Sequence, residues 1–309
     1  MEKGLVVTKI HRILAFTQEP WLKSYVQFNT KKRAESQSSF EKMFYKLCVN
    51  AVFGKGMEQV RKRMNIKLVN DPRKALRLIS RAQFLSHDIL GSSLVAFKMQ
   101  KSWVTLNKAI YTGFSVLELS KLHMMKFHYD YVKSKWGDNA KLLMTDTDSL
   151  SYQITTRCVN EDIQDDLHLF DTSSLPVEHP LYSNLNKGVL GKMKDEAQGK
   201  LLYKFIGLGP KSYCFLGSDE QDQPFKKMAM KGIPQYVQKR SVTFEMLERV
   251  LFNQNILSCK INSIRSYKHK IYNISAKKYV SHGFDSKRYI LEDGVQTLPY
   301  GHFLIPDKQ

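Results

Sequence analysis

Hydrophobic and polar positions along the chain change period several times, and each change predicts an element. The apolar runs GLVVTKI and RILAF, closed by EPW, predict strands and a turn over the opening segment to about Val26. From about Lys32 to Arg63 the period becomes helical. Phe40, Phe44, Leu47 and Ala51 recur three and four apart as one apolar stripe, with Lys42, Lys46, Asn50 and Phe53 on a neighbouring face. Gly54 either closes that turn or permits a close approach. Asn70-Asp71-Pro72 breaks the pattern. Segments 73–87 and 115–135 read as further helices, with AFKMQKSWVTLNK between them as strands carrying basic residues on one side.

The period shortens to two in KLLMTDTDSLSYQI. Leu142, Leu143 and Met144 predict a strand entering a tight turn, and Leu150, Tyr152 and Ile154 alternate along a returning strand. An acidic, turn-rich stretch over 161–180 predicts a surface loop with a short helix. LLYKFIGLGPKSYCFL is strand-like with a Gly-Pro turn, and QDQPFKKMAMKGIPQ predicts a hairpin. A helix around 243–254, the basic run SIRSYKHKIYNISAKKY and a mixed tail follow a change of character near residue 235. The mixture predicts an α+β fold.

Charge narrows the function. The 309 residues carry 48 Lys and Arg against 29 Asp and Glu, a formal net charge of +19, which points to a polyanion, nucleic acid first. A membrane surface fits less well, because the basic residues are spread along the chain and no apolar run approaches a bilayer span. The start, MEKGLVVTKIHRIL, has no signal-like apolar region, so the expected location is nucleus or cytoplasm without secretion. Cys48, Cys158, Cys214 and Cys259 form no CxxC pair, so neither a zinc knuckle nor a disulfide framework is indicated.

Three features carry candidate chemistry. Asp146 and Asp148, one residue apart at a hairpin tip, suit either a solvated Asp/Thr/Ser turn or a hard divalent cation, most naturally Mg²⁺. Lys46 and Asn50 share a helix face, as a solvated surface or as a contact to a triphosphate and base pair. Lys211 and Tyr213 alternate onto one face of a strand, as ordinary snorkelling at a sheet edge or as a grip on a nucleic-acid backbone and sugar.

Their order along the chain resembles family B DNA polymerases. KLCVNAVFG (Lys46 to Gly54) resembles the fingers motif Lys-x₃-Asn-x₂-Tyr-Gly, MTDTDS the palm motif Tyr-Gly-Asp-Thr-Asp-Ser, and KSY the Lys-x-Tyr motif that follows. The longer stretches TKIHRILAFTQEPWLKSYVQFNTKKR, FEKMFYKLCVNAVFGKGMEQVRKRMNIKLV and KRYILEDGVQTLPYGH are similar to the protein-primed polymerases of Maverick/Polinton elements and related viruses. The resemblance implies a partial palm with an antiparallel sheet, helical fingers and a C-terminal thumb. Its boundaries are palm strands over 1–30, fingers over 31–70, palm with the catalytic hairpin over 71–235 and thumb over 236–309. It implies that Asp148 is the catalytic metal-binding aspartate of the palm and that Asp146, the first acidic residue of the pair, supports it as a metal ligand in a secondary role, with two Mg²⁺ ions in the complete enzyme. Lys46 would contact the incoming deoxynucleoside triphosphate, Asn50 and Phe53 would pack near the nascent pair, and Gly54 would leave space. Lys211 and Tyr213 would hold the DNA primer-template. Arg33 would be a further phosphate-binding residue, a place for which Lys31 and Lys32 compete.

The chain also departs from that pattern. Phe53 stands where Tyr is usual, Ala51 replaces Ser, and Met144-Thr145 replace Tyr-Gly. A two-ion phosphoryl transfer takes carboxylates from two strands, and no run of the form Asp-x₂-Ser-Leu-Tyr-Pro precedes the fingers motif. Glu35 and Glu41 belong to the fingers, and spacing does not require Asp130 or Asp138 to reach the tip. The expectation is a C-terminal portion of a polymerase, without an exonuclease, that extends primers poorly or not at all alone. Its partners would include the missing N-terminal region or a terminal priming protein. Rival readings are a nonenzymatic DNA-binding remnant of a mobile element, a metal-dependent nuclease, and a basic protein with fortuitous motifs.

Overall fold

The computed structural model describes residues 6–209, 211–219, 222–267, 270–283, 288–294 and 296–305. Outside the described residues lie the first five residues of the expected opening strands, Pro210 of the Gly-Pro turn and Gln221 of the hairpin after it. Lys268 and His269 of the basic run, and Lys287, Val295 and 306–309 of the tail, lie outside them too. The chain is α+β with antiparallel strand pairs. It divides into two compact units, and passes between them after Ile66, Phe97 and Glu118.

The first unit is built on two helices, α1 (Lys23–Glu35) and α2 (Ser39–Gly56). The opening strands are not formed among the described residues. Residues 6–20 are exposed and carry no regular structure, and the helix begins at Lys23, inside the segment read as strand. A strand needs a partner for its backbone groups, and GLVVTKI and RILAF have none among the described residues. Ser38 starts α2 by accepting the Glu41 N–H at 3.1 Å, an N-cap that satisfies one orphan donor. The Tyr25 hydroxyl donates to the Cys48 carbonyl at 3.2 Å and ties the helices together. The stripe Phe40, Phe44 and Leu47 is exposed, and no residue of α2 is buried. Beyond α2, Glu58 gathers Arg63 through two hydrogen bonds, Lys55 at 3.0 Å and Lys108 at 3.7 Å. The hydrogen bonds from Arg63 and then Lys55 hold the Glu58 carboxyl down at about 2.

Strands β1 (Asn65–Val69), β2 (Phe84–Ile89) and β3 (Val95–Met99) form a sheet in the order β1-β3-β2, with α3 (Pro72–Ile79) between the first two. Asn70-Asp71-Pro72 is the start of α3 as well as the end of a strand: Asp71 accepts the Arg73 N–H at 2.8 Å and Pro72 takes the first helical position. The helix expected over 73–87 therefore stops at Ile79 and is followed by β2. The strands expected over AFKMQKSWVTLNK reduce to β3, with no regular structure over 100–109.

A long helix then runs as α4 (Ile110–Lys126), a π-helical turn (Phe127–Val132) and α5 (Lys133–Trp136). The hairpin β4 (Ala140–Asp146) and β5 (Ser149–Ile154) follows. The acidic stretch contains α6 (Val159–Gln164) and a compact loop held by Asp171, which is only 6% exposed.

The main core of the second unit lies beneath the antiparallel sheet β6 (Leu201–Gly209), β7 (Ser212–Ser218) and β8 (Pro224–Met230). LLYKFIGLGPKSYCFL is thus two paired strands, and QDQPFKKMAMKGIPQ supplies the third. Ile206, Cys214 and Met230 face α7 (Gln235–Ser241) and α8 (Phe244–Asn253), which contribute Val237, Phe244 and Leu247. Thr243 caps α8 by accepting the Met246 N–H at 3.3 Å. Ile261 joins this core from β9 (Leu257–Tyr267), so residues on both sides of 235 share it. With β10 (Lys270–Ser281), β9 forms a long two-stranded ribbon whose far half is exposed, and β11 (Arg288–Ile290) pairs with β12 (Thr297–Pro299).

Candidate active site at two hairpin tips

The β4–β5 hairpin closes through a two-residue loop, Thr147-Asp148, between the paired residues Asp146 and Ser149. The Asp148 N–H donates to the Asp146 carbonyl at 2.7 Å, which folds the chain back over three residues, and Thr147 sits at φ +58°. This is a γ-turn of the rare, positive-φ kind. It is also a conformation that β-branched side chains strongly disfavour. The Thr147 hydroxyl donates to Asp146 Oδ1 at 3.2 Å and the Ser149 hydroxyl to the Asp146 carbonyl at 3.2 Å. The tip is therefore strained and locally hydrogen-bonded, with Asp146 partly covered and Asp148 in solvent.

The β6–β7 hairpin ends in a second left-handed residue. Lys211 lies between Gly209 and Ser212, at φ +57°, and its carbonyl accepts the Lys231 N–H at 3.0 Å. Lys211 is thus in the turn and outside the strand, which corrects the expectation that it alternates with Tyr213 along one strand face. Tyr213, in β7, packs edge-on against Phe215 at 5.6 Å, on the sheet face opposite Cys214 and the core.

The two tips meet. Lys211 Nζ lies 2.9 Å from Asp146 Oδ1 and 3.1 Å from Oδ2, joining residues 65 apart in sequence. The hydrogen bond to Asp146, reinforced by its charge and more weakly by Asp148 and Tyr213, raises the Lys211 pKa. Behind the hairpin, His128 in the π-helical turn shares a 3.0 Å hydrogen bond with the Tyr152 hydroxyl on β5, and the two rings stack at 5.9 Å. Burial, and then the Lys133 charge, lowers the His128 pKa, while burial raises Tyr152 to about 12.

The donor set suits a hard cation in part. Two carboxylates stand at one tip, and an ammonium already rests on one of them, so the site attracts positive charge. A two-ion cage takes more. Asp138 pairs with Lys133 at 3.8 Å, and among the described residues no group of three or more His, Cys, Asp and Glu side chains gathers. Asp146 and Asp148 would hold Mg²⁺ from one side.

The other predicted residues form their own group in the first unit. Lys46 and Asn50 are exposed, four apart on α2, with Phe53 one turn on. Gly54 neither ends the helix, which continues to Gly56, nor admits a close neighbour, since a Cβ there would meet nothing within 4 Å. Lys31 and Lys32 both pair with Glu35, at 3.9 and 3.5 Å, whereas Arg33 has no ion-pair partner among the described residues.

Sequence reasoning placed Thr147 and Ser149 at the tip only as turn residues, and it gave His128 and Tyr152 no part in the site. Only Thr147 carried a signal, a β-branched residue in a two-residue loop. Thr147→Gly, which adopts positive φ freely, is expected to stabilise the second unit by about 1 kcal/mol, whereas Thr147→Val should give no gain. Thermal unfolding of the two variants would show this as a rise of roughly 2–4 °C for the glycine alone. No protein-family model, curated protein or solved structure matches this chain.

Proposed function

We propose that this chain is the nucleotidyl-transfer portion of a protein-primed, family B-type DNA polymerase, acting on a DNA primer 3′ end with deoxynucleoside triphosphates. The supporting observation is the meeting of the two tips: the carboxylate and Lys-x-Tyr motifs, far apart in sequence, share an ion pair between Asp146 and Lys211. On this reading the β4–β5 hairpin and the β6–β8 sheet belong to the palm, α1 and α2 to the fingers, and the segment after 235 to the thumb. Bound Mg²⁺ would neutralise the triphosphate and acidify the primer hydroxyl. Asp148, exposed at the tip, and Asp146 beside it would hold that charge. Lys46 and Arg33 would take phosphate oxygens, and Phe53 would pack near the nascent pair without the hydroxyl of the usual tyrosine. Tyr213 would sit close to the primer strand. The carboxylate from a second strand would come from a further polypeptide region, and the setting would be the nucleus or cytoplasm.

Primer extension with Mg²⁺ and deoxynucleotides tests this. The chain alone should extend weakly or not at all. Supplying a polypeptide with the further strand carboxylate should give extension, and Asp148→Asn should abolish it. No extension in any combination would overturn the polymerase reading.

A second reading, DNA binding without chemistry, is favoured by the ion pair with Lys211 that already neutralises Asp146. It requires duplex binding that is indifferent to divalent metal and to Asp148→Asn. Both readings give salt-dependent binding, since phosphate neutralisation releases counterions.

A further inference from the structure

We propose that Lys211 is a built-in counter-ion that competes with an external divalent cation for Asp146. The inference rests on the metal-binding reading of the tip.

The ammonium spans both carboxylate oxygens of Asp146, at 2.9 and 3.1 Å. A divalent ion approaches carboxylate oxygens to about 2.0–2.6 Å, so while the ammonium rests across both oxygens the ion is left only their remaining lone pairs. The two charges would also repel. With no external cation, the pairing relieves the repulsion between Asp146 and Asp148, which are locked one residue apart by the γ-turn.

The geometry lets Lys211 leave. Its backbone is anchored by the left-handed turn and by the Lys231 N–H, but its side chain is 59% exposed on a flexible four-carbon stem. The anchor stays while the arm swings. On leaving Asp146, the ammonium is free to meet a phosphate beside the tip. One residue would thus hold the tip together without metal and release its charge when a divalent ion arrives.

Binding of Mn²⁺ to the full chain, followed by electron paramagnetic resonance without nucleotide or DNA, tests this. Lys211→Ala is expected to bind roughly threefold to tenfold tighter than wild type, since an exposed pair of this kind is weak and its loss removes a modest competitor. Lys211→Gly, which takes φ +57° without strain, should behave the same and guards against a folding defect in the alanine variant. Lys211→Arg, which keeps the charge, should stay near wild type. Asp148→Asn marks the site. Equal or weaker binding by the alanine and glycine variants, with the site still lost in Asp148→Asn, would overturn the competition and leave the metal reading standing. Mn²⁺ binding that ignores Asp148→Asn in every background would overturn both.

Discussion

Leu247→Ala is expected to destabilise the second unit by about 3–4 kcal/mol and to lower its melting temperature by roughly 10 °C. Leu247 is fully buried on α8, in one cluster with Ile206, Cys214 and Met230 from the sheet, Ile233, Val237 and Val242 from the α7 region, and Ile261 from β9. Truncation removes the transfer free energy of the side chain and leaves a cavity that several elements would have to close together. Because each wall comes from a different element, collapse is limited, and the cost should stay clear of the lower end of the range for leucine. Leu247→Met should cost under about 1.5 kcal/mol, since the volume is nearly kept. Ile264→Ala, at a side chain 76% exposed on the ribbon, should change stability by less than about 0.5 kcal/mol. Denaturant unfolding of the three variants separates these outcomes. If Leu247→Ala and Ile264→Ala cost the same, α8 does not seal the sheet.

That core shows where sequence legibility ended. The β4–β5 hairpin was readable because an apolar run enters a polar tip and Leu150, Tyr152 and Ile154 alternate beyond it, and α8 because Phe244, Leu247 and Val250 recur at helical spacing. Both signals are local. The change of character near 235 is local as well, but packing ignores it: Ile206 and Ile261 bury the same leucine's surroundings from opposite sides of that point. The opening strands failed for the converse reason. Their apolar content was right for a strand, yet pairing is decided by distant residues that composition does not name. The same holds for β2, where Phe84 joins Phe97 of β3 at 6.3 Å and the pairing overrides a helical reading. The ribbon β9–β10 escaped recognition because most of both its faces is exposed, so no period-two burial pattern was written into it.

The site divides along the same line. The two aspartates and the lysine were legible as residue types, but their meeting was not, because it depends on two turns that each hold a non-glycine residue at positive φ. Hairpin closure imposes those conformations against residue preference. Strain of about 1–3 kcal/mol per such residue is characteristic of sites where geometry matters more than stability. Thr147 adjoins Asp146 and Lys211 is that carboxylate's ion-pair partner, so the strain is concentrated where the candidate chemistry lies.

Acid should destabilise the second unit through Asp171, and Asp171→Asn should remove that part of the pH dependence. Burial by itself would raise this carboxyl, but the Ser173 side chain, the Gly188 and Ser173 N–H groups and the Lys194 ammonium outweigh it and hold the pKa at about 2. The Gly188 and Ser173 N–H groups lie 3.1 Å from its two oxygens and Lys194 Nζ lies 3.4 Å away, while the Asp171 N–H donates to the Met193 carbonyl at 2.7 Å. The folded pKa is below the unfolded value near 3.8, so the stabilisation is fully present above about pH 4. It is lost as pH falls through 2. The shift corresponds to roughly 2 kcal/mol. At pH 7 Asp171→Asn should cost about 2 kcal/mol, because one N–H loses its acceptor and Lys194 its partner, and Asp171→Ala about 3 kcal/mol, because both N–H groups are then left unpaired in a buried loop. Other carboxylates titrate in the same range, so the decisive quantity is the difference between wild type and Asp171→Asn in denaturant unfolding at pH 7 and pH 2. That difference should shrink from about 2 kcal/mol to roughly 0.5 kcal/mol. A difference that stays constant would mean that the asparagine damages packing and that the Asp171 charge contributes nothing to the fold.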